Sequence, residues 1–371
     1  MARAWADVSL DAVAANVATL RAVCGEAELC AVVKADGYGH GAVPVARAAV
    51  EAGAGWLAVA QVPEATALRT AGIDALTLLL SEPRPGDLDE ALAADVAVTV
   101  YTPALIRHLG AAARSAGRVV PVHLKVDTGM HRVGCAPHDV VSLAQLVDAE
   151  PSLSLEAVWT HCAVADEPDS SFTARQLERF DAAVAAVEQA GIPVPMRHAA
   201  NSAAAIAHPA SHYDLVRCGI AVYGIAPAPA LRDRVALEPV VRLATEVAFV
   251  KPVAAGEGIS YGLRHHLERD TVVATLPVGY ADGVFRSLGA AGQEVLVGGE
   301  RHPMVGVVTM DQVMVDIGPC SDVRAGDEVV LLGAQGEHRI SPDEWGAQLG
   351  TIAYEVVCAL GARIERRYGS S

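Results

Sequence analysis

Short apolar runs recur along the first two thirds of the chain, each followed by a longer amphipathic stretch. The runs are "AVVK" from 31, "GWLAVA" from 55, "ALTLLL" from 75, "VAVTVY" from 96, "VPVHLKV" from 120, "LSLEAVWTH" from 153, "VPMRHA" from 194 and "YDLVRC" from 213. Strands covered on both faces read this way, as near-continuous apolar segments. The stretches between them carry helix punctuation. Thr102 followed by Pro103 reads as a cap and first-turn proline, with Gly117 closing that helix. Leu177, Phe180, Val184 and Val187 form one helical face stopped by Gly191. Leu10, Val13, Val17 and Leu20 sit at helical spacing behind Ser9. Eight strands alternating with helices predict an α/β chain with a (β/α)8 barrel of the TIM type.

The alternation breaks at "GIAPAPALRDRVALEPV", which carries three prolines and no clear period. A boundary there gives a barrel over 1–235 and a second domain over 236–371, with the opening residues, to about 10, able to pack with the second domain. Beyond the boundary come short β-like runs: "TEVAFV", "TVVATLPV", "QEVLVGG", "HPMVGVV", "QVMVDI" and "DEVVLLG". Their glycine-rich spacing predicts a compact, mostly-β domain. One late helix should start at Ser341-Pro342, with Glu344 completing a capping box.

Composition narrows the partners. Acidic residues exceed basic ones by 44 − 28 = 16, spread along the chain, which disfavours nucleic acid and anionic membranes. No apolar stretch is long enough to span a membrane, and the opening lacks the pattern of a signal peptide. Seven cysteines, with no C-x-x-C pair, point to reduced thiols in a cytoplasm and to no metal site.

Chemistry gathers where a barrel enzyme keeps it, just past the C-terminal ends of the strands. Lys34 ends strand one and Lys125 strand five. His161 ends strand six, His198, Asn201 and Ser202 follow strand seven, and Arg217 ends strand eight. Each alone is unremarkable, since a cation at a strand end is usually just solvated. Seven on one rim are not. A lysine held in a walled pocket is partly desolvated, which lowers its pKa from about 10.4 and frees an amine nucleophile. Amines of this kind form Schiff bases with carbonyls, pyridoxal phosphate (PLP) among them. "NSAAAI" and "RCGIAVYGI", after strands seven and eight, offer the hydroxyl and small residues that a phosphate needs.

Nine segments in order carry a family resemblance: "AVVKADGYGHG", "LKVDTGMHRVG", "THCAVADEPD", "HAANSAA", "VRCGIAVYGI", "GISYG", "PVGYADG", "VTMDQ" and "TIAYEVVCALGARIERRY". Spread from residue 31 to 368, they resemble the signatures of bacterial alanine racemases. The resemblance implies a PLP-binding barrel, a C-terminal β domain, and a head-to-tail homodimer with shared active sites. It implies that Lys34 carries the cofactor as a Schiff base and is one catalytic base, with Tyr261 of the other subunit as the second. The α-proton must leave one face and return to the opposite one, so two bases are needed. Tyr38, Asn201, Ser202 and Tyr354 would hold the cofactor and its phosphate, with backbone N–H groups at Gly219 and Ile220. His161 would support Arg217.

Arg217, by the same resemblance, faces the pyridine nitrogen. A guanidinium only donates, so that nitrogen stays an unprotonated acceptor, and the cofactor becomes a weaker electron sink suited to proton exchange. Lys125 would be carbamylated and orient Arg132 toward the substrate carboxylate, alongside Met310 and Asp311. Asp166, Tyr280 and Arg286 would line the access corridor with Tyr354. The sequence departs from the family at three places: Val307 and Thr309 in "GVVTMDQ", where an arginine is usual; Ala353 in "TIAYE", often asparagine; and His131 in "GMHRVG", commonly glycine. The first two loosen a corridor that admits small amino acids. Interconversion of L- and D-alanine is thus expected, with a racemase for other amino acids, serine or basic ones, as the alternative.

Overall fold

The computed structural model describes residues 4–369. It comprises two compact units: one of Asp11–Gly37 and Ala42–Glu238, the other of residues 4–10, Tyr38–Gly41 and residues 239–369. Among the described residues no helix is long and apolar enough to cross a membrane. No disulfide joins the cysteines, and five of the seven are buried.

The first unit is the expected barrel. Its strands are Glu28–Val32, Trp56–Val59, Leu76–Leu79, Ala97–Val100, Val120–Lys125, Leu153–Trp159, Met196–His198 and Leu215–Cys218. Strands one to seven pair in parallel with their chain neighbours, and strand eight pairs in parallel with strand one. Strands seven and eight lack a regular ladder. The ring closes there through Asp214 N–H donating to Arg197 C=O at 3.1 Å and Arg217 N–H to Ala200 C=O at 3.1 Å. Helices cover the outside as the apolar spacing requires. In the helix Phe172–Gln189, Phe180, Val184 and Val187 are fully buried, each burial being worth roughly 1.5–3 kcal/mol. Thr102 Oγ1 accepts from Leu105 N–H at 3.2 Å, capping the helix Pro103–Ser115 as predicted.

The second unit is mostly β. Its main sheet runs in the order Glu300–Pro303, Glu294–Val297, Glu328–Gln335, Val241–Glu246, Ala4–Ser9, Glu365–Gly369, with His338–Ile340 added on Glu328–Gln335. A second sheet joins Phe249–Val253, Thr271–Leu276 and Val313–Asp316. The capping box of the late helix Pro342–Leu349 forms as expected, with Ser341 Oγ accepting from Glu344 N–H and Glu344 Oε1 accepting from Ser341 N–H. Three readings need correction. "TEVAFV" is not one strand: Thr245 and Glu246 end Val241–Glu246, and Phe249 and Val250 begin Phe249–Val253 in the other sheet. "HPMVGVV" is a strand only as far as Pro303, because Gly306 turns the chain at φ +73°. The strand Ala4–Ser9 was not read at all, since its small alanines mask the alternation that faces Trp5, Asp7 and Ser9 to one side.

Tyr38–Gly41 packs within this second unit, and only glycine fits its middle. Gly39 has φ +81°, and a Cβ there would lie 2.3 Å from the carbonyl oxygen of Val357, in the helix Ala353–Cys358. Gly39→Ala combines left-handed strain with a backbone clash, so it should destabilise the protein by at least about 2 kcal/mol. Urea unfolding measures this, and a wild-type midpoint would contradict the packing described.

Candidate active site

Strand one does not end at Lys34. Its ladder stops at Val32, Val33 N–H still donates to Ala58 C=O at 2.9 Å, and Lys34 then opens a left-handed turn. Ala35, Asp36 and Gly37 take φ +53°, +52° and +60°. For Ala35 and Asp36 this conformation costs roughly 1–2 kcal/mol each, so neighbouring groups must hold it. Glu64 does most of that. Its carboxylate accepts from Ala35 N–H at 2.6 Å, Ala60 N–H at 2.8 Å and Gln61 N–H at 3.0 Å, tying the turn to the loop after strand two. Asp36 Oδ1 accepts from Ala42 N–H at 2.9 Å. Buried Tyr223, just past strand eight, donates its hydroxyl to Val32 C=O at 3.0 Å. Lys34 is therefore fixed at the barrel rim, half-buried.

Lys125 closes strand five and is 4% exposed. Its cross-strand partner is Trp159, and its Nζ lies 4.0 Å from that ring's centroid. Burial, then the charges of Arg217, Arg132 and Lys34, push its pKa down to about 7. Asp127 offers little relief. Its carboxylate is engaged by Gly129 N–H at 2.9 Å, His131 N–H at 3.0 Å and the His131 imidazole at 3.4 Å. His131 has φ +55°, a conformation that ordinarily favours glycine, and Asp127 holds it there.

Arg217 is 3% exposed and donates in several directions. His198 Nδ1 lies at 2.7 Å and His161 Nδ1 at 3.3 Å, while the carbonyls of Thr160 and Ala199 both accept at 2.9 Å. The guanidinium also lies over Trp159, 4.6 Å from the ring centroid. Burial lowers its pKa to about 10, so it remains a cation at neutral pH. His161 is held well below the usual histidine range by burial and by Arg217, Lys125, Arg132 and Lys34, and is neutral. Neither Lys125 nor Arg217 forms an ion pair with a carboxylate among the described residues.

The remaining rim residues do structural work as well. Ser202 Oγ accepts from Gly219 N–H at 2.9 Å and from Ala221 N–H at 3.4 Å, joining the loops after strands seven and eight beside Ile220. Asn201 caps the helix Ser202–Ala207 and donates to Cys162 C=O at 3.3 Å. Arg132 and Asp166 are exposed.

The other expected site residues lie in the second unit. Tyr38 and Tyr354 face each other with ring centroids 6.4 Å apart. Tyr261 is 73% exposed, presented by a turn in which Ser260, Gly262 and Leu263 all have positive φ. Ser260 Oγ anchors that turn on Val307 C=O at 2.7 Å. Thr309 closes the next turn, its hydroxyl accepting from Gln312 N–H at 3.1 Å, and so presents Met310 and Asp311. Arg363 then links two turns. It grips Asp282, beside Tyr280, through Nε and Nη2, both at 2.8 Å, and reaches Asp311 through Nη1 at 2.9 Å. Arg286 is exposed.

Sequence reading missed Glu64, Trp159 and Arg363. Glu64 had a signal, because it sits three residues past Gln61 at the start of a helix. Trp159 and Arg363 had none, since cross-strand register and paired turns are invisible until the chain folds.

An amine beside three further cations on the C-terminal rim of a parallel barrel is the setting of a barrel enzyme, with charge suited to phosphate and carboxylate groups. Residues 8–227 match the family model described as alanine racemase, N-terminal domain, and residues 240–368 that of the C-terminal domain. The chain belongs to the alanine racemase family. An alanine racemase of Symbiobacterium thermophilum is 47% identical over 365 residues, covering 98% of this chain and 97% of the relative. The crystal structure of alanine racemase from D-cycloserine-producing Streptomyces lavendulae superposes with a TM-score of 0.94 at 42% identity, covering 100% of this chain and 98% of that one. That of the Bacillus anthracis alanine racemase with bound L-Ala-P gives 0.94 at 38%, covering 100% and 95%.

The Lys125 amine carries a pH signature. Its folded pKa of about 7 lies below the ordinary 10.5, so between those values the unfolded chain binds more protons and stability rises with pH. Lys125→Met should flatten that rise. In CO₂-free buffer, 13C NMR of the Lys125 Cε should show an inflection near 7. An ordinary lysine titration would contradict the burial and cation cluster described.

Proposed function

We propose that the chain interconverts L- and D-alanine with PLP bound at the barrel rim. The observation that carries this reading is Lys34, an amine held in the turn just past strand one in a chain that matches the family across both domains. The donor set fits the cofactor. The clustered cations suit its phosphate and phenolate, and Ser202 and the loop at Gly219 and Ile220 lie where barrels of this type bind phosphate. When bound, PLP supplies an electron sink that weakens the Cα–H bond of the substrate.

The chain's own groups then do the proton work. Lys34 Nζ holds the cofactor and moves a proton at one face of the substrate Cα. Tyr261 Oη, from a second copy of the chain, moves a proton at the other face. The exposure of Tyr261 supports that role, because a residue serving a partner's site is unpacked within its own unit. Arg217 keeps its guanidinium toward the cofactor's ring nitrogen, and His161, neutral, accepts from it. Tyr38, Asn201, Ser202 and Tyr354 bind and orient the cofactor. Arg132, Met310 and Asp311 take the substrate carboxylate, and Asp166, Tyr280 and Arg286 line its approach. The partner is a second copy of the chain.

Lys125 completes the carboxylate site as a carbamate. Its amine is unusually nucleophilic because burial and neighbouring cations disfavour the protonated form. The Nζ lone pair adds to the carbon of CO₂ with loss of one proton, and the resulting anion replaces repulsion of Arg132 with attraction.

Two experiments test this reading. Lys34→Ala and Tyr261→Phe should each abolish racemisation, and the first should also remove the visible absorbance of the bound cofactor. Mixed subunits of the two variants should regain activity through one intact site per heterodimer; proven exchange without activity would overturn the shared site. Adding 13C-bicarbonate should give a carbamate resonance in wild-type protein that Lys125→Ala lacks. Its absence from the wild type would remove the modification.

A further inference from the structure

Beneath the rim, Arg217 heads a line of polar side chains whose other members, His198, His123 and Glu156, the proposed reaction does not use. Arg217 Nη1 lies 2.7 Å from His198 Nδ1, His198 Nε2 lies 3.0 Å from His123 Nδ1, and His123 Nε2 lies 2.9 Å from Glu156 Oε2. Both imidazoles are completely buried, while the Glu156 side chain is 33% exposed. The rings are locked by packing. Trp159 stacks on His198 at 5.2 Å between centroids and 13° between planes, and Trp56 packs on His123 at 5.4 Å.

The line has one consistent direction. A guanidinium has no acceptor, so His198 Nδ1 must offer its lone pair to Arg217. A neutral His198 then carries its proton on Nε2, which makes His123 Nδ1 an acceptor and places the His123 proton on Nε2. That proton meets an ionised carboxylate, which only accepts. A protonated His198 would set two donors against each other at 2.7 Å. Burial, together with the charge of Arg217, holds both imidazoles below the usual histidine range, consistent with neutral rings. Among the described residues Arg217 meets no carboxylate directly, so Glu156 is the negative end of its hydrogen-bonded chain.

We infer that Glu156 is a positioning residue for Arg217: from the solvent-side end of the line it fixes, through His123 and His198, the acceptor to which Arg217 donates, and it supplies the negative charge that the buried guanidinium lacks nearby. The consequence for catalysis rests on the reading that Arg217 faces the bound cofactor's ring. The hydrogen-bond line itself does not.

The two parts are tested separately. In the cofactor-free protein, 15N NMR of labelled histidine should show the Nε2–H tautomer at both His123 and His198. An Nδ1–H tautomer or an imidazolium at either ring near neutral pH would overturn the line. Glu156→Gln keeps an acceptor and should preserve both tautomers. Glu156→Lys replaces the acceptor with a donor and should abolish that pattern. In the loaded enzyme Glu156→Lys should lower kcat about tenfold or more, the scale of losing an outer partner in a site, with KM little changed, and Glu156→Gln, which keeps the acceptor but removes the charge, should fall between that variant and wild type. If Lys at this position prevents folding, Glu156→Leu stands in, with an intermediate loss expected. Wild-type kcat in both Glu156→Lys and Glu156→Leu would overturn the positioning role. Arg217→Lys is the control on the underlying reading. Unchanged absorbance and rate in that variant would reject Arg217 as the cofactor's partner, while the tautomers would still judge the line.

Discussion

Repulsion among cations is the constraint around which the barrel rim is organised. Lys34, Lys125, Arg132 and Arg217 all act on His161, and among the described residues no carboxylate is paired to Lys125 or Arg217. Two unit charges at 4 Å repel by about 4 kcal/mol at an effective dielectric near 20, so such a cluster survives only if its charge is spread or withdrawn. Trp159 places the face of one ring against both Lys125 and Arg217. Lys125 sheds charge by its lowered pKa, and the imidazoles stay neutral. Carbonyls of Thr160 and Ala199 take the guanidinium protons. What remains is a strong positive field with few local anions, suited to a phosphate and a carboxylate arriving together.

A rigid frame is needed to keep such groups from moving apart. The left-handed turn behind Lys34 stores strain that Glu64, Asp36 and Tyr223 hold from three directions. In the second unit the same tactic recurs. Positive φ at Ser260 and Leu263 pushes Tyr261 outward, and Arg363 fastens the turns bearing Tyr280 and Asp311. In both units a loop with positive φ carries a side chain of the candidate site, and side-chain hydrogen bonds from outside it or within it hold the loop: Glu64 on the turn after Lys34, Ser260 on the turn of Tyr261.

Much of this was legible in the sequence. The eight apolar runs marked the barrel strands because parallel strands are apolar throughout, and the caps at Thr102 and Ser341 formed as read. Lys34 and Arg217 were legible because charged residues abutting apolar runs contradict the local pattern. The missing parts depend on pairings distant in the chain. Trp159 looks like core until register sets it against Lys125, and Glu156 looks like a solvated strand residue until His123 is placed beside it. The departure at His131 is another case. Only the positive φ and the Asp127 contacts show why histidine is accommodated there.

The second unit's main sheet also constrains the order in which the protein can be completed. Ala4–Ser9 lies between Val241–Glu246 and Glu365–Gly369, so this strand must wait for partners that lie beyond the whole barrel in the chain. Barrel strands pair with neighbours close in sequence, apart from the closing contact of strands one and eight. During synthesis the lysine-bearing barrel can therefore assemble while Ala4–Ser9 remains unpaired, and this sheet closes only when Glu365–Gly369 emerges.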